Sequence, residues 1–366
     1  MTAELTATLV RRHAVFHDLR VAAIEPLTSD SVAITFDVPA ELATEYDFTH
    51  GQHLSLRCTV AGDDVRRNYS ICTPAGSGVL RVAVKRLPGG VFSSYAHSTL
   101  RPGDTIEVMT PTGRFTTPLQ PPATRAHVAI AAGSGIAPVL SIVATLLEGE
   151  PRSTVTLLYG NRTSQDIMFL EELEDLKNVY PGRFSLHLFL SRETQEAEVL
   201  NGRIDGDKLR ALLASPLLPE HVDEWFLCGP QAMITSLRAT LTEAGIDSRG
   251  VHSELFHAEG RGQTGTPAAA SDAGASRVTI VLDGRSSTFE VRPDGPRILD
   301  AALRVRGDAP YACKDGVCGT CRARLLEGQV TMEQNYALED SELEAGFVLA
   351  CQSHPASPVV KLDFDG

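Results

Sequence analysis

Short runs that alternate apolar and polar positions fill the first third of the chain. Segments rich in β-branched residues, such as SVAITFDV, GQHLSLRCTV and GVLRVAVKR, are separated by turn residues. Alternation over four to eight residues is typical of strands that are buried on one face. The pattern predicts an antiparallel β-barrel or β-sandwich over residues 1–120.

The pattern then changes to continuous apolar runs, each followed by a segment with helical period. HVAIAAG precedes APVLSIVATLLEG, STVTLLYG precedes IMFLEELEDLKNVY, and EWFLCG precedes PQAMITSLRATLTEAG. Apolar strands that alternate with helices indicate a parallel sheet covered on both faces. We therefore expect an α/β domain over residues 121–257.

A segment without hydrophobic periodicity comes next. Residues 258–276, AEGRGQTGTPAAASDAGAS, are rich in Gly, Ala, Ser and Thr and are predicted to be a flexible linker. Beyond it, RVTIVLDGRSSTFEV places two alternating runs around an Asp-Gly hairpin signal, and RILDAALRVRG has a helical period. The sequence thus predicts a multidomain protein with a third, α+β domain over residues 277–366.

Composition narrows the class of protein. The 366 residues are 43% hydrophobic and carry a net charge of −13. Such a chain has enough apolar residues for several cores, whereas its negative charge argues against nucleic-acid binding, which needs basic surfaces that replace counterions. No apolar run approaches the roughly 20 residues of a membrane helix, and the first residues do not resemble a signal peptide. We expect a cytoplasmic protein with no nucleic-acid and no membrane partner.

Four of the seven cysteines lie after residue 312. Cys313, Cys318, Cys321 and Cys351 have the spacing C-x4-C-x2-C-x29-C, which is the pattern of plant-type [2Fe-2S] ferredoxins. Small residues between the first three allow a loop to wrap a cluster and to aim its N–H groups at sulfur. A zinc site is the alternative, but structural zinc usually takes two C-x2-C pairs, and this region has one.

The segment RRNYSICTP contains Arg67, Tyr69 and Ser70 as R-x-Y-S, which resembles the flavin motif of the ferredoxin–NADP reductase family. An arginine can pair with a flavin pyrophosphate, a tyrosine can pack on the ring system, and a serine hydroxyl can bond a ring atom. Taken alone, the string also fits an exposed charge beside a core aromatic. The resemblance implies further FAD contacts at Val84, Lys85, Gly90 and Ser93.

In HVAIAAGSGIAPVLSI a buried strand runs into Gly133, Gly135 and Pro138 and then into a helix. Glycines let the backbone close on a pyrophosphate, and the helix N-terminus favours its negative charge. The order G-x-G-x-x-P departs from the G-x-G-x-x-G of dehydrogenases and matches the same reductase family, in which the proline begins the helix. A glycine-rich turn of this kind can also be purely structural.

The last buried strand ends in Cys228, Gly229 and Pro230, at the carboxyl edge where open α/β sheets bind ligands. The resemblance implies that Cys228 lies near the reactive nicotinamide. It also implies that Glu254 and Phe256, in VHSELF, form the acidic-x-aromatic segment that packs over the flavin. An ordinary core aromatic is the alternative for the phenylalanine.

Two loops of the predicted sheet bear on the choice of nucleotide. YGNRTSQD and LSRETQ place Arg162, Ser191 and Arg192 where they could surround the adenosine ribose. Two guanidiniums and a hydroxyl suit a 2′-phosphate, while an NAD site more often offers a carboxylate to the ribose hydroxyls. The loops therefore favour NADPH over NADH, with solvated surface arginines as the alternative.

These motifs follow one another in the order flavin barrel, nucleotide sheet, linker, ferredoxin. That order resembles the reductase components of multicomponent oxygenases, and the strings CKDGVCGTCRA, MEQNYALED and GFVLACQSHP resemble reductase subunits of the diiron oxygenases that epoxidise phenylacetyl-CoA. The resemblance implies a β-grasp fold for the ferredoxin domain. It also implies electron transfer from NADPH through FAD and [2Fe-2S] to a diiron oxygenase component.

Two other functions remain open on the sequence. An NADH-dependent reductase of a Rieske or other ring-hydroxylating oxygenase can share all three modules. A one-electron ferredoxin carrier with a non-functional reductase module would also have this length. Near the last cysteine, an acidic stretch is expected either to be a solvated turn or to steer the domain toward a basic oxygenase surface. It contains Glu339, Asp340, Glu342 and Glu344.

Overall fold

A computed structural model describes residues 15–255 and 274–366. Within these ranges the chain forms two compact units, a larger one over residues 16–255 and a smaller one over residues 274–366. Phe256 and residues 258–273 of the predicted linker lie outside the described residues. None of the helices in the described ranges is long and apolar enough to cross a membrane.

The larger unit begins with the expected antiparallel barrel. Its six strands are Phe16–Thr28 (β1), Ser31–Asp37 (β2), His53–Val60 (β3), Asp63–Ser70 (β4), Leu80–Lys85 (β5) and Thr105–Met109 (β6). Their spatial order is β4-β3-β6-β1-β2-β5. The sheet curls because Ile71, directly after β4, bridges Val82 of β5 at the opposite edge. Apolar side chains from alternate positions fill the interior, as period-two patterning requires.

The second module of this unit is the expected parallel sheet. Its strands are Ala126–Ala132 (β7), Thr154–Asn161 (β8), Phe184–Leu190 (β9), Glu224–Gly229 (β10) and Val251–Leu255 (β11). In the order β11-β10-β7-β8-β9, the chain adds β8 and β9 on one side of β7 and then adds β10 and β11 on its other side. Open α/β sheets bind ligands at the carboxyl end of such a switch point.

Five helices accompany the barrel and the parallel sheet. They are Val91–Ser98 (α1), Ile136–Gly149 (α2), Leu170–Val179 (α3), Gly206–Leu213 (α4) and Gln231–Glu243 (α5). Helix α2 follows β7 and is buried along almost its whole length. A helix that is apolar on all sides is expected in the interior of a unit rather than on its surface.

Polar contacts join the barrel to the parallel sheet and its helices. Arg81 of β5 forms an ion pair with Glu172 of α3, with 3.1 Å between Nη1 and Oε1. The backbone N–H of Ala75 donates to Oγ1 of Thr145 in α2 over 2.9 Å. These contacts hold the two modules of the larger unit together.

The smaller unit is a mixed sheet with short helices, as expected for a β-grasp ferredoxin domain. Its strands are Ser276–Leu282 (β12), Arg285–Val291 (β13), Arg322–Glu327 (β14), Val330–Met332 (β15), Phe347–Leu349 (β16), Ser353–Pro355 (β17) and Val359–Asp363 (β18), and its helices are Ile298–Ala302 (α6) and Asp340–Glu344 (α7). The main sheet has the order β13-β12-β18-β14-β16, with β12 and β18 parallel. The predicted hairpin is present, since Asp283 and Gly284 both have positive φ.

Candidate functional site

The glycine-rich turn lies at the switch point of the parallel sheet. Gly133 has a φ of +53°, which favours glycine, and a Cβ on Gly135 would overlap the carbonyl oxygen of Cys228 at the end of β10. Only glycine at position 135 lets the turn approach the end of β10 so closely. Pro138 is the third residue of α2 and not its first, yet it still lies in the first turn, where a backbone N–H has no intrahelical partner.

Cys228 and Glu254 are neighbours at the carboxyl edge of the sheet. The parallel register of β10 and β11 aligns one with the other. The Cys228 side chain is completely buried, and burial, followed by the Glu254 charge, raises the pKa of its thiol. Gly229 ends β10, and Pro230 directly precedes α5. The expected group of three residues after the last apolar strand is therefore at the predicted edge.

Ser70 of the barrel reaches the same place. Its hydroxyl donates a hydrogen bond to Oε2 of Glu254 over 3.2 Å. His53, which is aligned with Ser70 in β3, has its Nδ1 3.8 Å from Oε1 of the same carboxylate. The structure thus brings together Ser70, Glu254 and Cys228, which the motifs named separately. His53 was not predicted, because in GQHLSLR it is one buried position of a strand, and only the pairing of β3 with β4 gives it a role.

The rest of the R-x-Y-S motif lies on one face of β4. Arg67 is exposed and donates from Nη1 to the carbonyl oxygen of Arg66 over 2.8 Å. Tyr69 lies two positions after Arg67 in the same strand, so both side chains project to the same face of β4. The Tyr69 ring packs against Phe92 with 5.3 Å between ring centroids, and burial raises the pKa of its hydroxyl. This face offers a cation and an aromatic ring side by side.

The four other positions expected near FAD have different environments. Val84 is completely buried in the barrel core, and Lys85 forms an ion pair with Asp30, with 3.3 Å between Nζ and Oδ1. Gly90 is the N-cap of α1. The Ser93 hydroxyl accepts the Leu87 N–H over 3.1 Å, so this side chain stabilises the loop in front of α1.

The loops after β8 and β9 are adjacent. The Ser191 N–H donates to the carbonyl of Asn161 over 3.0 Å, and the Arg192 N–H donates to the carbonyl of Arg162 over 2.8 Å. The side chains of Arg162, Ser191 and Arg192 are exposed at this edge. The neighbouring Glu193 carboxylate accepts two hydrogen bonds from Ser164. The structure therefore groups the three residues that the sequence assigned to one ribose.

The four cysteines of the smaller unit form two pairs. The thiols of Cys313 and Cys318 are hydrogen-bonded to each other, which raises the pKa of Cys313. Those of Cys321 and Cys351 form the second pair, which raises the pKa of Cys321 and lowers that of Cys351. Protein N–H groups also point at sulfur: the Asp315 N–H is 3.3 Å from Cys313 Sγ.

This arrangement fits a [2Fe-2S] cluster, in which each of the two irons takes two cysteine ligands. Among the described residues, no group of three or more His, Cys, Asp or Glu side chains could hold a single metal ion. A cation lies close by, since Arg297 donates to the carbonyl of Lys314 and to Glu333 over 3.2 and 2.6 Å. The Glu333 carboxylate raises the pKa of Arg297, and the Cys351 sulfur raises it by a smaller amount.

One residue of the acidic stretch, Glu342, differs from both of the roles expected for the stretch, whereas Glu339 and Glu344 are exposed. Glu342 is buried and accepts a hydrogen bond from Nη1 of Arg322 over 2.8 Å. It also closes a capping box with Glu339 at the start of α7. A buried, ion-paired carboxylate is neither a solvated turn residue nor a steering charge, so Glu342 has a structural role.

Three family models match the chain in the expected order. The oxidoreductase FAD-binding domain matches residues 18–117, the oxidoreductase NAD-binding domain matches residues 129–239, and the 2Fe-2S iron-sulfur cluster binding domain matches residues 280–356. The chain therefore has domains for FAD, for a pyridine nucleotide and for a [2Fe-2S] cluster. The flavin and nucleotide domains are those of oxidoreductases.

Two curated relatives are similar over nearly their whole lengths. One of the subunits of 1,2-phenylacetyl-CoA epoxidase from Escherichia coli (strain K12) is 47% identical over 96% of this chain and 98% of its own. The ferredoxin reductase component of 3-ketosteroid-9-alpha-monooxygenase from Rhodococcus rhodochrous is 32% identical over 94% of this chain and 96% of its own.

Solved structures agree on the fold. Phthalate dioxygenase reductase, described as a modular structure for electron transfer from pyridine nucleotides to [2Fe-2S], has a TM-score of 0.58 at 23% identity, over 95% of this chain and 98% of that one. An intact type IV self-sufficient cytochrome P450 monooxygenase has a TM-score of 0.70 at 21% identity, over 95% of this chain and 41% of that one. At sequence identities this low, the comparison shows a shared fold only and does not assign a function.

Proposed function

Because this chain belongs to the family of FAD- and [2Fe-2S]-containing reductases that includes the Escherichia coli 1,2-phenylacetyl-CoA epoxidase component described above, we propose that it passes electrons from NADPH to a diiron oxygenase acting on phenylacetyl-CoA. One observation carries the reductase part of this proposal. Ser70 of the barrel meets Glu254 and Cys228 of the sheet, beside the glycine turn. That convergence gives a flavin and a nicotinamide one shared site.

The residues divide the work between binding and orientation. When bound, a flavin accepts two electrons together from a nicotinamide and releases them singly, as a [2Fe-2S] cluster requires. Arg67 would pair with the FAD pyrophosphate, and Tyr69 would pack on its rings. The backbone of the Gly133 turn and the N-terminus of α2 would bind the nucleotide pyrophosphate. Ser70, Cys228 and Glu254 would line the site shared by the flavin and the nicotinamide.

The two pairs of cysteines are proposed to hold one iron each. Cys313 and Cys318 form one pair, and Cys321 and Cys351 form the other. Sulfur that accepts N–H groups from the surrounding loop carries its negative charge more easily.

A preference for NADPH follows from the exposed group of Arg162, Ser191 and Arg192. We expect kcat/KM for NADPH to exceed that for NADH. Arg192→Ala should lower the NADPH value roughly tenfold or more, since a hydrogen bond to a charged group contributes about 1.5–3 kcal/mol. It should leave the NADH value nearly unchanged. Steady-state kinetics with both nucleotides measure the effect.

The matched control is Arg249→Ala, because that arginine is also exposed but lies before β11. Glu254 lies near the other end of β11, so Arg249 is at the edge of the sheet opposite the proposed site. It should change neither kcat/KM value. Equal efficiencies for the two nucleotides in the parent protein, or an unchanged NADPH value in Arg192→Ala, would contradict the proposed ribose site.

The acceptor is tested with the FAD- and cluster-loaded full chain. NADPH-driven reduction of cytochrome c reports electron transfer in general. Adding the oxygenase component of a phenylacetyl-CoA epoxidase, with and without phenylacetyl-CoA, reports the specific partner. We expect epoxide formation coupled to NADPH oxidation only when oxygenase and thioester are both present.

A purified Rieske oxygenase with its own substrate is one comparison. A 3-ketosteroid or glycine betaine monooxygenase is another, because relatives of this chain are components of those enzymes. Rapid cytochrome c reduction without epoxidation would leave the reductase function intact and remove the phenylacetyl-CoA assignment. Failure to reduce any acceptor in the loaded protein would favour the one-electron carrier.

A further inference from the structure

The side chain of Gln352, the residue after the last of the four cysteines, has two hydrogen-bond acceptors. It is 1% exposed. Its amide nitrogen Nε2 donates to the carbonyl oxygen of Lys314 over 2.8 Å and to Sγ of Cys351 over 3.4 Å. A primary amide carries two N–H donors, so one side chain can make both bonds at once. Because a carbonyl oxygen only accepts, the nitrogen of the amide, and not its oxygen, must face Lys314.

The peptide between Lys314 and Asp315 carries the effect of Gln352 to a second cysteine. Its carbonyl accepts from Gln352, and its N–H, which belongs to Asp315, donates to Sγ of Cys313 over 3.3 Å. The C=O and the N–H of a trans peptide point in opposite directions, so a donor that holds the carbonyl also holds the N–H toward the sulfur. A hydrogen bond to the carbonyl polarises the peptide as well, which strengthens its N–H as a donor.

Lys314 has a backbone conformation that needs support from its surroundings. Its φ is +60°, in the left-handed region that a long side chain rarely enters. Gln352 and Nη1 of Arg297 both donate to its carbonyl, and its ammonium pairs with Asp300 over 2.8 Å. Gly316 has a φ of +73°, and a Cβ there would lie 3.0 Å from Cγ of Gln352. The cysteine loop is therefore packed closely around the glutamine side chain.

We infer that Gln352 sets the reduction potential of the [2Fe-2S] cluster by acting on one cysteine of each pair. Its bond to Cys351 is direct, and it acts on Cys313 through the Lys314 peptide. Reduction adds one electron, and so one negative charge, to the cluster, and N–H groups that point at sulfur favour the more negative state. Gln352 is a positioning residue, because it touches a ligand and not the acceptor. The inference rests on the cluster assignment proposed above.

The experiment measures the midpoint potential of the cluster in the FAD- and cluster-loaded full chain. The EPR signal of the reduced cluster is followed during a redox titration. Gln352→Met keeps the length of the side chain and removes both donors. It should shift the equilibrium about tenfold toward the oxidised cluster, which lowers the potential of a one-electron couple by ~59 mV. The flavin potential from the same titration should not change, because the flavin domain belongs to the other unit.

Two further variants complete the test. Gln329→Met is the matched control, because Gln329 is an exposed glutamine of the same unit, and it should leave the cluster potential unchanged. Gln352→Asn keeps an amide on a shorter side chain and should lower the potential by less than Gln352→Met.

A parent-like potential in Gln352→Met would overturn the inference. If Gln352→Met does not assemble the cluster, Gln352→Asn decides. A lowered potential there supports the inference, whereas a parent-like potential or loss of the cluster would limit Gln352 to folding of the loop and overturn it. A parent protein without the signal of a reduced [2Fe-2S] cluster would instead contradict the cluster assignment itself.

Discussion

The side chain of Glu150 lies in the interior of the larger unit with no exposed surface, paired with Arg125. Burial alone would raise the pKa of this carboxyl, but hydrogen bonds from Arg125, from the N–H of Gln120 and from Ser153 lower it to about 2. His127 is buried against the same carboxylate, with 3.4 Å between Nε2 and Oε2. The carboxylate is therefore held ionised by its partners in spite of its burial.

This pKa predicts how stability depends on pH. A folded-state pKa below the usual 4.5 contributes stability that is fully present above about pH 4.5 and is lost as the pH falls toward 2. Glu150→Gln should reduce the free energy of unfolding at pH 7 by about 2 kcal/mol, since it removes the carboxylate that accepts hydrogen bonds from Nε and Nη2 of Arg125, whereas Glu224 still pairs with Nη1. It should also flatten the pH dependence in that window. Urea unfolding at a series of pH values measures both effects.

Glu148→Gln is the matched control, because Glu148 is exposed and only two positions away. It should behave as the parent protein does at each pH. A Glu150→Gln protein as stable as the parent at pH 7 would show that the buried pair does not stabilise the fold.

Single residues also show where sequence reasoning was limited. Short-range spacing identified the four cysteines and the glycine turn, because ligand and backbone requirements repeat at fixed intervals. His53 was missed, because its role depends on partners in other strands. The bond between Ser70 and Glu254 joins residues 184 positions apart, and the family resemblance, not the local pattern, pointed to both.

At the scale of elements, the hydrophobic pattern predicted what each segment becomes. Continuous apolar runs gave the parallel strands, and the Asp283-Gly284 turn gave the first hairpin of the smaller unit. The pattern did not predict which strands pair, such as β12 with β18, since that choice depends on long-range packing. Nor did it predict that Glu342 in α7 is buried. A run of acidic residues is typical of an exposed turn, and the sequence does not show that Arg322 donates a hydrogen bond to this carboxylate.

At the scale of the whole molecule, the described chain separates into two compact units, each with its own core. Cys318→Ser should therefore abolish the [2Fe-2S] cluster while leaving FAD bound, because cluster loss disturbs only the smaller unit. NADPH should still reduce artificial acceptors that take electrons from the flavin, whereas cytochrome c reduction through the cluster should fall sharply. Iron analysis and the visible absorption spectrum measure the two cofactors separately.

Cys58→Ser is the comparison, since Cys58 lies in barrel strand β3 and not in the ferredoxin unit. It should retain both cofactors. Loss of FAD together with the cluster in Cys318→Ser would contradict the independence of the two units.

The close contact between Gly135 and the Cys228 carbonyl has a practical meaning for directed evolution. In a randomised library at position 135, most variants would carry a side chain that prevents the turn from closing. The exposed loop positions 162, 191 and 192 have no such restriction. A library designed to change coenzyme preference should therefore vary these three positions and leave the glycine turn unchanged.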